Sequence, residues 1–330
     1  MVNLNIFKLH FTTPLHIGDS RDDYSISLKT IQSDTMYAAI ISCLAKLGAE
    51  IPDNGDLGCT ISSLFPFYQK EENAVPVYFF PKPLKQTLPK LENVDHAKKI
   101  KKVAWLDKAY FERVLNGETL FEDETSISDI KNSYLTNQLI DDAFIVSQVS
   151  PRVLVSRNGM EDAKPFYMDR VYFKDYSGLY FISEGDSVLL ERGLSLLQDE
   201  GIGTDRNVGN GRFVYQKESI SLKLPEACHT AMSLSMFIPG DKEQLISMIS
   251  PKDKVAYDFT RRGGWITTPP YNTYRKNTVH AFLPASVFSL QIEGVYVMGD
   301  FVILTPEVKN VHFPHTIRRN GKSIFIPIKI

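Results

Sequence analysis

Four glycines, Gly201, Gly203, Gly209 and Gly211, crowd the segment Gly201-Ile-Gly-Thr-Asp-Arg-Asn-Val-Gly-Asn-Gly-Arg212, with Arg206 and Arg212 beside them. Glycine adopts positive φ without steric cost and lets a backbone approach a ligand closely. Successive N–H groups in such a turn form a concave anion site, and flanking arginines supply counter-charge. No Gly-Lys-Ser/Thr follows, so the segment is not a P-loop. It leaves a helical pattern and enters a strand pattern, the reverse of a dinucleotide fingerprint. A glycine-capped helix–strand connection has the same composition.

Three further segments hold residues suited to phosphate or base contacts. Phe11-Thr-Thr-Pro-Leu-His-Ile-Gly-Asp contains His16 and Gly18, and is followed by Ser33-Asp-Thr at a helix start, where free N–H groups can hold a phosphate. An ordinary helix cap reads the same way. Val149-Ser-Pro-Arg-Val-Leu-Val-Ser-Arg157 with Tyr167-Met-Asp-Arg170 sets Arg152, Arg157 and Arg170 among aromatic and β-branched residues. That mixture can track a nucleic-acid backbone and stack on bases, although a rim of solvated arginines around a sheet looks alike. Arg261-Arg-Gly-Gly264 lies between two β-like runs and predicts a hairpin turn presenting Arg261 and Arg262. Arg275-Lys276 and Arg318-Arg319 lie further on.

Acid–base chemistry is less legible. Cleaving RNA through its own 2′-OH needs a general base and a general acid, often a histidine with a tyrosine or lysine. Of seven histidines, His16 stands in the right kind of loop, but spacing pairs no second group with it. Asp19, Asp22 and Asp23 form a carboxylate cluster of the kind that binds Mg²⁺, yet aspartate-rich turns beside serine are commonplace. Neither a catalytic residue nor a cofactor or metal is expected.

The elements that must position these residues follow from periodicity. Residues 4–11 alternate as a strand, and residues 33–47 are an amphipathic helix capped by Ser33 or Asp34 and stopped by Gly48. Residues 76–80 read as a strand, 82–142 as a partly helical insertion, and 143–155 and 171–183 as β-rich. A helix capped near Asp186 or Ser187 ends at Gly201, and a strand resumes over 211–216. The order strand, helix, strand, strand, helix, strand is that of a split βαβ, ferredoxin-like unit. From residue 226 a vaguer second copy begins: a strand over 229–238, a short helix over 241–249 and four later strands. The expected fold is α+β, with two ferredoxin-like (RRM-like) domains: residues 1–220 with an insertion at about 82–142, and residues 221–330.

Bulk properties agree with this. The chain has 330 residues, 43% hydrophobic and 23% charged, the composition of a folded protein rather than a disordered one. No apolar run approaches the roughly 18 residues of a membrane span, and the opening residues lack a signal peptide's apolar core. Three scattered cysteines, Cys43, Cys59 and Cys228, fit a reducing cytoplasm and no zinc-finger spacing. The net charge of −2 hides a skew. Residues 1–150 hold 15 Lys+Arg against 20 Asp+Glu, the remainder 22 against 19, and 11 of 13 arginines lie after residue 150. Arginine is the side chain suited to bidentate phosphate contacts and to stacking on bases.

In this order the four segments resemble the RAMP superfamily of CRISPR proteins, and within it the type III-A Csm subunit that binds the crRNA 5′ handle. The resemblance rests on Pro-Leu-His-Ile-Gly with Ser-Asp-Thr, Ser-Pro-Arg…Asp-Arg, the glycine loop, and the closing Arg-Arg-Asn-Gly-Lys-Ser-Ile-Phe-Ile-Pro-Ile. It spans residues 4–328 and is weakest over 82–142. It implies two RAMP domains that hold RNA through phosphates and splayed bases, without catalysis. His16, Gly18, Ser33, Arg152, Arg157, Arg170, Arg261, Arg262 and the loop from Gly201 to Arg212 would lie on the RNA side. Implied partners are the crRNA 5′ handle, the large polymerase-like Csm subunit and the backbone RAMP Csm subunit, with no membrane. The runner-up is a RAMP endoribonuclease that processes repeat RNA with a histidine acid–base site. Asp205 departs from a purely basic loop and is expected to pair with Arg206.

Overall fold

The computed structural model describes residues 1–18, 23–86, 94–121, 127–155 and 162–330. It is a mixed α/β structure whose organising feature is strand β1 (Val2–Phe11). Alternation gives β1 two faces: Phe7 and Leu9 enter one buried cluster, Leu4 and Ile6 another. Helix α1 (Ser33–Lys46) follows, and then the short strands β2 (Cys59–Ile61) and β3 (Phe65–Tyr68). Strand β4 (Val77–Pro81), helix α2 (Val94–Lys102), strand β5 (Trp105–Asp107), helix α3 (Lys108–Leu115), and strands β6 (Ile130–Lys131) and β7 (Tyr134–Leu135) extend the chain sideways. Strands β8 (Ile145–Leu154) and β9 (Lys164–Phe173) form a long hairpin ribbon. Strand β10 (Gly178–Gly185), helix α4 (Val188–Glu200) and strand β11 (Phe213–Leu222) complete the half.

Among the described residues nine strands join one sheet in the order β11-β1-β10-β3-β4-β5-β7-β6, with β2 also on β10. Its first four strands are mutually antiparallel. Helices α1 and α4 cover one face, burying Met36, Ile40 and Leu44 with Leu190, Leu194 and Leu197. Gly193 lets them approach, since a Cβ there would run into Ile40.

Three local expectations are revised. Residues 76–80 do form a strand, but the place beside β10 belongs to β2 and β3, which sequence reading passed over. Pro66 sits within β3 opposite Leu179, where a proline ordinarily argues against an inner strand. The β-rich run 171–183 is cut into β9 and β10 by a turn at which Tyr176 takes φ +64°. The stretch 82–142 is not a separate excursion in its described part: β5, β6 and β7 prolong the main sheet, and Phe80 stacks on Phe111 of α3 at 4.4 Å.

The second half contains strand β12 (Cys228–Ser233), helix α5 (Lys242–Met248), β13 (Phe259–Arg262), β14 (Val279–Phe282), β15 (Val287–Ile292), β16 (Tyr296–Met298), β17 (Phe301–Ile303), β18 (Arg318–Asn320) and β19 (Ser323–Pro327). Four strands pair as β15-β12-β19-β16, and two hairpins, β13–β14 and β17–β18, stand beside them. This half orders its strands differently from the first unit. Its sheet runs second-first-fourth-third, against fourth-first-third-second in the first half, and α5 is its single α-helix among the described residues. The long β-like runs break at Ala285 (φ +72°) and Gly299 (φ +110°), shortening the strands. The two halves share one core, in which Leu4, Ile6 and Ile182 pack with Met232, Ile324 and Ile326.

Candidate nucleic-acid interface

Helix α4 ends where Gly201 takes φ +77°, and the glycine segment turns back onto residues 12–16. Thr204 N–H donates to the His16 carbonyl at 2.9 Å, Gly211 N–H to Pro14 at 2.8 Å, and Thr12 N–H to Arg212 at 2.9 Å. Arg212 N–H donates to Thr13 Oγ1 at 2.8 Å. Gly203 is required by close approach, because a Cβ there would collide with the His16 carbonyl. Gly211 is required likewise by Ile202. Gly209 has φ +90° and open space around it. The glycines thus serve chiefly to lay the loop against the His16 segment, and several amides expected to form an anion nest are engaged internally. The tip, Asp205 to Gly209, carries an exposed Arg206, and Arg212 is exposed at the loop's exit.

Asp205, in the left-handed region at φ +60°, pairs with Arg152 of β8 at 3.1 Å. The expected partner Arg206 is replaced by a residue from another element, because the ribbon folds over the loop. The foot of the ribbon is Asp169 on β9, buried at 5% exposure. Its carboxylate accepts from Ser27 N–H at 3.0 Å and Ser147 Oγ at 3.1 Å. Its carbonyl lies 2.7 Å from His16 Nδ1. A carbonyl only accepts, so Nδ1 carries the proton. His16 itself is fully buried and its Nε2 has no partner. Arg170, next on β9, is half-buried with its Nε unpartnered. Gly18 is exposed; Arg157 lies outside the described residues. So do Asp19 and Asp22, while Asp23 accepts hydrogen bonds from Ser25 N–H and Oγ.

The remaining candidates gather elsewhere, at the start of α1. Gln32 takes the N-cap position without a side-chain capping bond, its Oε1 accepting instead from Ser63 Oγ at 2.9 Å, and Ser33 and Asp34 are drawn to the second half. Ser33 Oγ accepts from Met236 N–H at 2.9 Å. Asp34, 3% exposed, receives both Nε and Nη2 of Arg262, at 2.9 and 3.0 Å, and also Arg319. Burial pushes its carboxyl up, but the two guanidiniums outweigh that and hold it below the ordinary carboxylate value. Arg262 is therefore an internal ion-pair partner, whereas Arg261 is exposed on the same strand. The expected tight hairpin at Gly263-Gly264 is a longer excursion, for β14 begins only at Val279. Arg319 also donates to the Gly263 carbonyl at 2.7 Å. Sequence reading missed Asp34 and Asp169 as organisers. Each stands in a singled-out motif, but nothing in the spacing of Ser-Asp-Thr or Met-Asp-Arg says which distant group its carboxylate meets.

Among the described residues no group of three or more His, Cys, Asp or Glu is placed to hold a metal ion, and no helix is long and apolar enough to cross a membrane. Residues 226–328 match the model of the CRISPR Csm4 C-terminal domain family. Over 98% of this chain and 99% of the relative, the sequence is 26% identical to "CRISPR system Cms protein Csm4" of Streptococcus thermophilus. In fold it is similar to chains from two sets of crystal structures. With a chain of the Csm3-Csm4 subcomplex of a type III-A CRISPR-Cas interference complex the TM-score is 0.58, at 17% identity and full coverage of both chains. With a chain of a Csm1-Csm4 cassette bound to pppApA it is 0.57, at 15% identity, covering 100% of this chain and 99% of that one. The C-terminal family match and the end-to-end relative agree: residues 226–328 carry the Csm4 C-terminal domain, and the chain as a whole is similar to Csm4.

Proposed function

We propose that this chain is a non-catalytic, crRNA-binding subunit of a type III-A CRISPR interference complex, acting in the cytoplasm. It anchors the crRNA 5′ handle, docks the large polymerase-like subunit and adjoins the backbone RAMP subunit. The observation that carries the RNA reading is convergence. The glycine loop, residues 12–16 and the β8–β9 ribbon meet at one corner, with Arg206 and Arg212 exposed and Arg152 alongside. The partners are inferred from relatives of the same fold, solved together with Csm1 and with Csm3. We further assign residues 1–220 to a ferredoxin-like RAMP unit on the antiparallel order β11-β1-β10-β3 with two helices on one face. We assign residues 221–330 to a C-terminal RAMP domain with its own strand order, β15-β12-β19-β16. A non-catalytic role is supported by His16, which is buried against Asp169 and not presented to a ribose hydroxyl.

The test is a salt titration of crRNA binding. Arg206→Ala and Arg212→Ala should each weaken binding of all sequences and lower the salt slope by roughly 0.7, the value for one phosphate contact on a single strand. Arg152→Ala should lower it less, because Asp205 already meets that charge. Unchanged affinity in the first two variants would remove the binding face. Incubation with repeat RNA should give no scission; cleavage abolished by His16→Ala would promote the nuclease reading instead.

A further inference from the structure

The face of the main sheet opposite α1 and α4 is only partly covered, by α3 and by the second half of the chain. Leu4 and Ile6 on that face of β1 pack against the second half of the chain. Lys8 and His10, the next residues on the same face, line a cleft of about 450 Å³. Gln69 after β3, Tyr176 before β10, and Gln216 and Glu218 on β11 complete its walls. That volume lies within the range of ordinary small-ligand sites.

The polar groups of the cleft are unevenly satisfied. Lys8, 3% exposed, meets Glu218 at 2.6 Å, and the Tyr78 hydroxyl donates to the same carboxylate at 2.8 Å. Gln69, 6% exposed, donates its amide nitrogen to the Glu71 and Glu72 carbonyls at 3.0 and 2.7 Å. Those carbonyls fix the orientation of the amide, and its Oε1 is left buried without a donor. His10 is held edge-on against Phe67, at 5.1 Å between ring centres, with the Gln216 side chain beside it. Its Nε2 is likewise buried without a partner. A native fold rarely leaves buried polar side-chain atoms unpaired, so two along one cleft call for an explanation.

Charge narrows the choice of ligand. The one ammonium in the cleft is neutralised by Glu218, and Glu72 adds a negative charge to the wall. Burial, with Lys8 nearby, lowers the His10 pKa and favours the neutral ring. A phosphate would find no free positive charge here. A neutral, planar group with an N–H for Gln69 Oε1 and a complementary atom for His10 Nε2 fits, and Tyr176, 44% exposed, offers a ring for stacking. We propose that this cleft seats one unpaired RNA base, read through its edge by Gln69 and His10 and stacked on Tyr176. The proposal rests on the RNA-binding reading above and adds a base-recognising site to the arginine-bearing corner.

The experiment compares a short single-stranded RNA with an abasic ribose-phosphate oligomer of equal length, using the full-length protein and the variants His10→Phe, Gln69→Met and Tyr176→Ala. Wild type should prefer the base-bearing probe by about tenfold, the scale of one base stacked on an aromatic ring. Each variant should lose most of that preference while binding the abasic oligomer unchanged. Equal wild-type affinity for both probes overturns the cleft assignment and leaves RNA binding intact. Failure of wild type to bind either probe overturns both readings. Variants that keep the base preference but no longer retain the large subunit in co-purification would show that a polypeptide fills the cleft. Circular dichroism checks folding. Should His10→Phe or Gln69→Met unfold, Tyr176→Ala at the exposed rim decides: a retained base preference counts against the cleft.

Discussion

Asp34 is the residue on which most depends. It is buried between two arginines contributed by strands more than two hundred residues away. Removing one member of such a cluster strands uncompensated charge, so Asp34→Asn should cost about 3–5 kcal/mol at neutral pH. The folded pKa lies below the ordinary one. The ion pair's contribution is therefore complete above about pH 4, the unfolded carboxylate's value, and fades as pH falls through the folded value. Denaturant titrations across pH should show wild type and Asp34→Asn converging at the acid end; a gap constant with pH would mean the carboxylate's charge is not what stabilises. The glycine loop gives a second contrast. Gly203→Ala puts a Cβ into the His16 carbonyl and should cost about 2 kcal/mol or more, while Gly209→Ala, with open space, should cost about 1 kcal/mol for its positive φ alone. Equal losses in chemical denaturation would contradict the packing of the loop on residues 12–16.

At the scale of elements, the β8–β9 ribbon stands apart. Ten residue pairs hold its strands together, and it joins the body through Leu15 opposite Val171 and through Asp169. Along it Val149, Val153 and Tyr167 are each more than half exposed, so they contribute little to stability here. Val149→Thr and Val153→Thr should stay within about 0.5 kcal/mol of wild type in denaturant unfolding. A loss of several kcal/mol would place the ribbon's outer face in a packed core. Asp169→Ala, by contrast, releases Ser27 N–H and Ser147 Oγ from a buried carboxylate and should loosen the ribbon's foot. Faster amide exchange over residues 145–149 is the expected reading, and unchanged exchange would remove Asp169 as its anchor.

At the scale of the molecule, the halves are coupled by packing as well as by ions. Ile324 and Ile326 of β19 sit in the same cluster as Leu4 and Ile6 of β1, and Ser235 Oγ donates to the Ile61 carbonyl at 2.9 Å. Unfolding should accordingly be one cooperative event, and Ile326→Ala should lower stability by about 2–5 kcal/mol while keeping a single transition. Two resolved transitions in calorimetry would show that the halves unfold independently despite this shared core.

Sequence alone determined the features that are local in the chain. The period of β1, the amphipathic stripes of α1 and α4, and the glycine stops at Gly48 and Gly201 follow from residue spacing, because alternation and 3.6-residue periodicity act over a few neighbours. The glycine loop combined with the N-terminal Pro-Leu-His-Ile-Gly motif carried the resemblance. Tertiary structure alone decided which groups meet. Asp205 could have paired with the adjacent Arg206, yet the ribbon brings Arg152 to it. Ser33 and Asp34 had the types of a helix cap, yet they bind Met236, Arg262 and Arg319. His16 looked like a loop residue facing ligand and is enclosed by Asp169 and the glycine loop. The order of the second sheet was likewise out of reach, since strand pairing is settled by contacts across tens of residues that no local pattern encodes.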